Sequence, residues 1–589
     1  MATKTPLWLR VLLAALFVSG TVLLVCALLA QQLGIDHDAG WGTGRILLAL
    51  SGVSCLLLGL AVLRRASLCA WAERVEQRYQ SLRPARPERT AVDVKMAVRR
   101  ARVLLVVLAV LGGLVYAWYI TAGTWTRWQR STVYFDLMAE GFLHGQTALL
   151  VQPSPELLAL QNPYDYQQRK NIHAYLWDAS FYKGRYHLYW GPVPGVLLAL
   201  FKLVHPGTVA DLYLVYVFIL GSYIFSLLLL YTFWRRWFTD LPPGVLLPGA
   251  LVAAVGMPVL WLVERPAVYE VAVAGAQCFL LAGVFWLVTA LGPERPCRGR
   301  LVLAGVSLGL VLGTRASLTP AVAVLALLAA LWLLRRQGRP GILPLPGQLL
   351  DVLALGAPLA LCAAGVACYN YVRFDSVFEF GLRYQLTGLA FRRFDQIFSW
   401  KYIIPNLYSY LLRPLTVEDG FPFFFAIHIS EDMWPFFIRL PEFYYYPEQV
   451  AGLLLAQPYV WFALPALVAA VRSWRKPAAQ EDALLRWLLL CLAATVLVAF
   501  GFLLVFVSVT MRYQFDFTPL LVVLASLGYW LGRRALRRHP LALDLYRLAL
   551  LACVLVALAT GLAIGISGSD KRFETLNPAL LDWLRGLFS

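Results

Sequence analysis

Residues 211–236 read DLYLVYVFILGSYIFSLLLLYTFWRR: an acid, an uncharged run dominated by Leu, Ile, Val, Phe and Tyr, then Arg235 and Arg236. Such a run carries a helix through the ~30 Å hydrocarbon layer of a bilayer, which takes roughly 20 apolar residues. Arginines at one end mark the cytoplasmic side. The pattern recurs, for example from Leu7 to Ala30 and from Leu484 to Val507. With 60% of 589 residues hydrophobic and only 14% charged, the chain exceeds what a soluble core can hide. The sequence predicts an all-α polytopic membrane protein.

Spans are expected near 9–30, 45–63, 103–122, 211–233, 244–262, 267–290, 301–314, 318–334, 349–371, 453–471, 485–507, 514–531 and 545–566. That makes about thirteen, within a range of roughly eleven to fourteen. The first run is too long for a removable signal and lacks a small-residue cleavage site, so it is expected to be retained. The basic clusters from Arg64 to Arg102, at Arg235/Arg236, Arg295/Arg298/Arg300, Arg335/Arg336/Arg339, Arg472/Arg475/Lys476 and Arg533/Arg534/Arg537/Arg538 then share the side of the N-terminus, the cytoplasmic side. This arrangement needs the stretch Pro192 to Val204, which follows Gly191 and holds Pro194, to rest at the interface as a short Pro-rich helix; otherwise it is a fourteenth span.

Two large segments, Gly123 to Ala210 and Arg373 to Gly452, are thereby expected outside the cytoplasmic (inner) membrane, both rich in Tyr, Trp and Phe. The expected organisation is 1–102, two N-terminal spans and a basic loop; 103–540, the main membrane module; and 541–589, a last span and tail. The net charge of +18 lies mainly in the topological clusters and does not point to nucleic acid. Nine scattered cysteines form no CxxC pair. Walker, GxGxxG, GxSxG and HExxH signatures are missing, which removes weight from ATP-driven, serine-hydrolase and zinc chemistry.

In the stretch Tyr134 to Gln146, Asp136, Glu140 and His144 fall at i, i+4 and i+8 on one helix face. A carboxylate there accepts a proton from an attacking hydroxyl or helps hold a divalent cation; equally, it is the polar face of an interfacial helix. Downstream, Trp177-Asp178 leads into a hairpin with Lys183-Gly184 at its tip. Asp178 either caps a turn or belongs to an aromatic platform for a sugar ring. Glu264-Arg265, Tyr269-Glu270, Arg315, and Arg512-Tyr513 within Thr510 to Asp516 all sit at span ends on the outer side. Ionisable groups there are usually paired or functional. Arg265, Arg315 and Arg512 facing one cavity would suit a lipid phosphate; the alternative is internal pairing, such as Arg512 with Asp516 or Arg265 with Glu264.

The order of a span, a long outer loop opening with an acid (Asp136), an interfacial Pro-rich helix at Gly191 to Pro194 and alternating spans resembles the GT-C superfamily of membrane glycosyltransferases, over roughly residues 103 to 540. That superfamily includes the protein O-mannosyltransferases and the aminoarabinose transferases acting on lipid A. The strings Tyr369-Asn-Tyr-Val-Arg-Phe-Asp375, Glu379-Phe-Gly-Leu-Arg-Tyr-Gln385, Gly313-Thr-Arg315 and Arg512-Tyr513 with Pro519 look like those of bacterial proteins of this kind. The resemblance implies a polyprenyl-phosphate sugar drawn laterally from membrane lipid, an envelope acceptor (glycan, lipid or protein), and inversion at the anomeric carbon. It makes Asp136 the first-loop acid, as general base or contact to a divalent cation (Mg or Mn). Glu264 or Glu270 becomes the second-loop acid, and Arg315 and Arg512 the donor-phosphate contacts. Two additional N-terminal spans and a lone Asp136 in place of an acidic pair depart from the pattern. A secondary transporter or lipid flippase is the main rival, though no internal repeat supports it; a noncatalytic scaffold is the third reading.

Overall fold

The computed structural model describes residues 7–29, 49, 51–56, 59–60, 73–78, 91–292, 295–335, 346–388, 394–427, 434–435, 438–444, 448–472 and 480–588. The expected span 45–63, much of the basic segment 64–102, and Arg336, Arg339, Arg475 and Lys476 lie wholly or largely outside them. The chain divides into two compact units.

The smaller unit comprises Met1–Glu88, Ser430–Arg439 and Ala535–Arg547. In it the helix Leu7–Leu28 packs closely on 51–56: a Cβ on Gly20 would meet Leu56 Cγ at 2.8 Å, and one on Gly52 would meet Leu24 Cγ at 2.8 Å. Small residues let helices approach in this way where lipid supplies no hydrophobic drive. The Glu76 carboxylate accepts the backbone N–H groups of Leu541 (2.9 Å) and Ala542 (3.3 Å), satisfying donors that open the last long helix.

The larger unit, Arg89–Ile429, Leu440–Arg534 and Leu548–Ser589, carries most of the membrane helices. Among the described residues eight helices are long and apolar enough to cross a bilayer: Val94–Ile120, Asp211–Trp237, Pro243–Glu264, Val268–Ala290, Ala316–Arg335, Pro346–Phe374, Glu481–Leu504 and Pro540–Ser567. The protein is therefore a multi-pass membrane protein. The other expected spans are shorter or less apolar helices, such as Arg298–Leu312, Pro458–Val471 and Thr518–Ala535, or fall largely outside the described residues. Val268–Ala290 is apolar all round and buried over most of its length, so it is central. Pro346–Phe374 is as apolar but mostly uncovered by protein, as a lipid-facing helix is. Arg298–Leu312 nests against it because Gly305 leaves no Cβ, which would otherwise lie 2.2 Å from Leu355 O.

The first loop segment builds a small layer at one end of this bundle. Helix Tyr134–Leu143 begins where Asp211 accepts Thr132 Oγ1 (2.5 Å) and the N–H groups of Tyr134 (2.9 Å) and Phe135 (3.1 Å), so an acid favoured at a helix N-terminus ties the loop to the next span. The expected hairpin is present as Ser180–Tyr182 paired with Arg185–His187, with Lys183 and Gly184 in the positive-φ turn. The Pro-rich stretch forms the helix Val193–Lys202, whose 10 residues are too few to cross a bilayer. Its start is pinned by Val193 N–H donating to Gly313 O at 2.8 Å, a contact that requires Gly191 because a Cβ there would lie 2.2 Å from the same oxygen. The second segment joins the layer where Leu386 N–H donates to Ala179 O (2.9 Å) and Asp178 N–H to Leu386 O (3.0 Å).

Candidate functional site

Chain breaks between membrane helices deliver four arginines to this end of the bundle. Arg315 follows the stop of Arg298–Leu312 at Gly313, and Arg512 lies in the short helix Met511–Gln514 between two membrane helices. Arg265 follows the end of Val259–Glu264, and Arg373 occupies the last turn of Pro346–Phe374. Their partners differ from the expected ones. Arg512 is held by Glu448, Nη2 to Oε1 at 2.8 Å with a second, short Nη1 to Oε2 contact, and Thr510 Oγ1 donates to the same carboxylate at 2.9 Å. Asp516 is taken by Arg315 instead, through Nε and Nη2 at 2.9 Å each. Arg265 turns from its neighbour Glu264 to Glu448 (3.7 Å) and Asp570 (3.5 Å). Glu264 is fully buried and accepts the N–H groups of Asp570 and Arg572 at 3.2 Å each, securing the C-terminal segment.

Aromatic rings link these pairs. The Arg512 guanidinium lies 4.8 Å from the Tyr269 ring and 5.3 Å from that of Tyr513, and Arg315 lies 4.9 Å from Tyr513. Tyr269 donates its hydroxyl to Asp178 Oδ2 in a short contact, and the Thr387 side chain also hydrogen-bonds this carboxylate. Burial pushes the Asp178 carboxyl above its ordinary range against the pull of Tyr269, Thr387 and Arg512. Burial acts on Glu448 too, yet Arg512, Arg265 and Thr510 outweigh it and bring its carboxyl down to about 2. Glu270, in the first turn of Val268–Ala290, is completely buried, and neither of its oxygens finds a hydrogen bond among the described residues. Structure thus gathers Asp178, Arg265, Tyr269, Glu270, Arg315, Arg512 and Tyr513 into one cluster, with Glu448 and Asp570 as additions that sequence reasoning does not place there, and with Asp516 present but paired to Arg315.

Asp136 stands apart from this cluster. Lys202 Nζ sits between Asp136 Oδ1 (2.6 Å) and Glu140 Oε1 (2.7 Å), and Val209 N–H donates to Asp136 Oδ1 at 3.0 Å. The expected shared face of Asp136 and Glu140 is therefore real, and an ammonium from the Pro-rich helix occupies it. A divalent cation does not fit there beside Lys202, and among the described residues no three His, Cys, Asp or Glu side chains are gathered as a metal requires.

Beside the arginine cluster opens a cavity of about 430 Å3. Arg315, Tyr513, Tyr189 and Trp190 form one part of its wall, and Arg373 and Asn370 another. Phe380, Phe398, Phe502 and Phe506 make the rest largely apolar. Its size falls within the roughly 300–1,000 Å3 of small-molecule sites, and guanidinium groups beside aromatic surface suit an anion attached to an apolar chain.

No protein-family model matches the chain, and no curated protein does. Among solved structures it is similar to the apo oligosaccharyltransferase of Archaeoglobus fulgidus, with a TM-score of 0.40 and 13% identity over 79% of this chain and 56% of that one. It is also similar to ArnT from Cupriavidus metallidurans bound to undecaprenyl phosphate, with a TM-score of 0.38 and 13% identity over 81% of this chain and 78% of that one. A third is the archaeal oligosaccharyltransferase AglB from Archaeoglobus fulgidus in complex with an inhibitory peptide and a dolichol-phosphate, with a TM-score of 0.37 and 12% identity over 81% of this chain and 56% of that one. The chain spans a little over half the length of the oligosaccharyltransferases, 56%.

Proposed function

We propose that the protein is a membrane glycosyltransferase that moves a sugar from a polyprenyl-phosphate donor to a cell-envelope acceptor (a glycan, lipid or protein) on the extracytoplasmic face. The observation that carries this reading is the cavity, where guanidinium and tyrosine side chains meet an apolar aromatic wall within a multi-pass helical protein. A lipid phosphate needs both features at once. In this reading the donor head lies against Arg315 and Tyr513, and Arg512 and Arg265 stand behind them, fixed by Glu448 and Asp570.

The acceptor oxygen forms its bond at the anomeric carbon as the bond from that carbon to the phosphate oxygen breaks with its electron pair. Arginine stabilises the departing phosphate. The acceptor's proton passes to a carboxylate, a role we assign to Asp178 in preference to Asp136. Asp178 has only the neutral side chains of Tyr269 and Thr387 as hydrogen-bond partners and a raised pKa, both suited to a base, whereas Asp136 is engaged by the Lys202 ammonium. Glu270, fully buried in the first turn of Val268–Ala290, is given no step in this reading.

The test is incubation of purified protein with a panel of polyprenyl-phosphate sugars, followed by mass spectrometry. Release of free polyprenyl phosphate from at least one donor is expected. A folded protein that releases it from none would contradict the reading and favour transport.

A further inference from the structure

The charges lining the cavity do not balance. Arg315 is neutralised by Asp516 at 2.9 Å and Arg383 by Glu379 at 2.6 Å, so two of the three arginines on its wall are already in ion pairs. The third, Arg373, is 4% exposed and forms no ion pair among the described residues; Glu379 acts on it only at longer range and is itself taken by Arg383. Its Nη2 donates to the Asn370 amide oxygen at 2.7 Å and its Nη1 to Leu188 O in a short contact, and both acceptors are neutral. The rings of Tyr369 at 3.8 Å and Phe374 at 4.6 Å add cation–π attraction, which steadies the cation without cancelling its charge. A buried guanidinium left uncompensated is costly, and the usual remedy is an anion within hydrogen-bonding reach. The free space beside Arg373 is this cavity, whose wall apart from Asn370, Thr314, Ser317 and the paired Arg315, Arg383 and Glu379 is largely aromatic and apolar.

We infer that Arg373, held by Asn370, is the residue that meets the charge of an anionic lipid head, a phosphate ester on an isoprenoid chain, in this cavity. The inference rests on the glycosyltransferase reading for the identity of the lipid and deepens it. Arg315 then offers hydrogen bonds and orientation, and Arg373 supplies the unbalanced positive charge. Neutral Asn370 keeps that charge available: an acid at the same place would turn Arg373 into a second copy of the Arg315–Asp516 pair.

The test measures binding of undecaprenyl phosphate, of uncharged undecaprenol and of inorganic phosphate to the purified full chain. Asn370→Asp is nearly isosteric, keeps the bond to Arg373 and neutralises it, while Arg373→Gln removes the charge and Arg373→Lys retains it. Expected are a loss of about tenfold or more in undecaprenyl phosphate affinity for Asn370→Asp and Arg373→Gln, recovery to within about threefold of wild type for Arg373→Lys, and unchanged undecaprenol binding throughout. Undecaprenyl phosphate binding by Asn370→Asp equal to that of wild type would overturn the inference. An equal loss of undecaprenol would do so too, because the cavity itself would have collapsed. Inorganic phosphate that binds through Arg373 and displaces the lipid would overturn the lipid as the source of the anion. Sugar release by the wild type reports separately: an Arg373-dependent lipid-phosphate binder that transfers no sugar would keep this inference and remove the transferase reading.

Discussion

Asp136 and Asp178 belong to the same loop segment, and both are buried, yet their surroundings give them opposite characters. Asp136 meets an ammonium and a backbone N–H, so its charge is satisfied and its place is to clasp the helix Tyr134–Leu143 to the helix Val193–Lys202. Asp178 meets only the neutral side chains of Tyr269 and Thr387, and it lies within the field of Arg512. The comparison shows that an acid in a first loop is read by its partners and not by its position. A carboxylate already paired with a cation contributes to architecture, and one held by neutral groups with a raised pKa contributes to proton transfer.

The comparison breaks most sharply if the roles are reversed by mutation. Asp178→Asn is expected to slow turnover by about 10²–10⁴-fold with donor affinity nearly unchanged, as measured by single-turnover release of polyprenyl phosphate. Asp136→Asn is expected to act on the fold, costing about 1.5–3 kcal/mol for a lost charge-assisted bond, because Lys202 keeps Glu140 as its remaining counter-charge. The double change Asp136→Leu with Lys202→Met should recover much of that loss in thermal unfolding, and failure to recover would show that Asp136 does more than hold Lys202.

The smallest expected effect concerns pH. Because the folded Glu448 carboxyl is depressed to about 2 from an ordinary value of 4.5, its pairing with Arg512 stabilises the protein above about pH 4.5 and is lost as pH falls through about 2. The stability gap between wild type and Glu448→Gln should therefore close across that window. Asp178 is shifted the other way, so turnover should fall on acidification while the Glu448 pair is still intact. An acid limb that instead tracked the closing of the stability gap would place the essential proton on Glu448.

Much of the architecture was legible because it is local. The uncharged run after Asp211, the Lys183-Gly184 turn and the ten-residue helix ending at Lys202 each follow from length, hydropathy and turn chemistry within one stretch of chain. The arginines were legible too, as charges placed where membrane helices end. Their partners were not. Arg315 finds Asp516 and Arg512 finds Glu448 across long stretches of sequence, and Glu448 belongs to no motif, so nothing near it announces an ion pair. Neighbours in sequence proved poor guides: Arg512 does not take Asp516, and Arg265 does not take Glu264. Lys202 carried a faint signal as a lone cation closing an apolar interfacial helix. Arg373 carried another, one turn after Tyr369 and Asn370 on a lipid-facing span, but its missing counter-charge is visible only in three dimensions.

The central claim is that a sugar leaves a lipid phosphate at this site and is joined to an envelope acceptor. It is tested most directly with a polyprenyl-phosphate donor carrying a radiolabelled sugar, incubated with the wild type or Asp178→Asn protein in membranes that contain the natural acceptors. The account predicts that wild-type protein moves the label from the lipid into envelope material and that Asp178→Asn leaves it on the lipid. Label that remains on an intact lipid in both cases, and crosses the bilayer only when wild-type protein is present, would contradict it and identify a flippase.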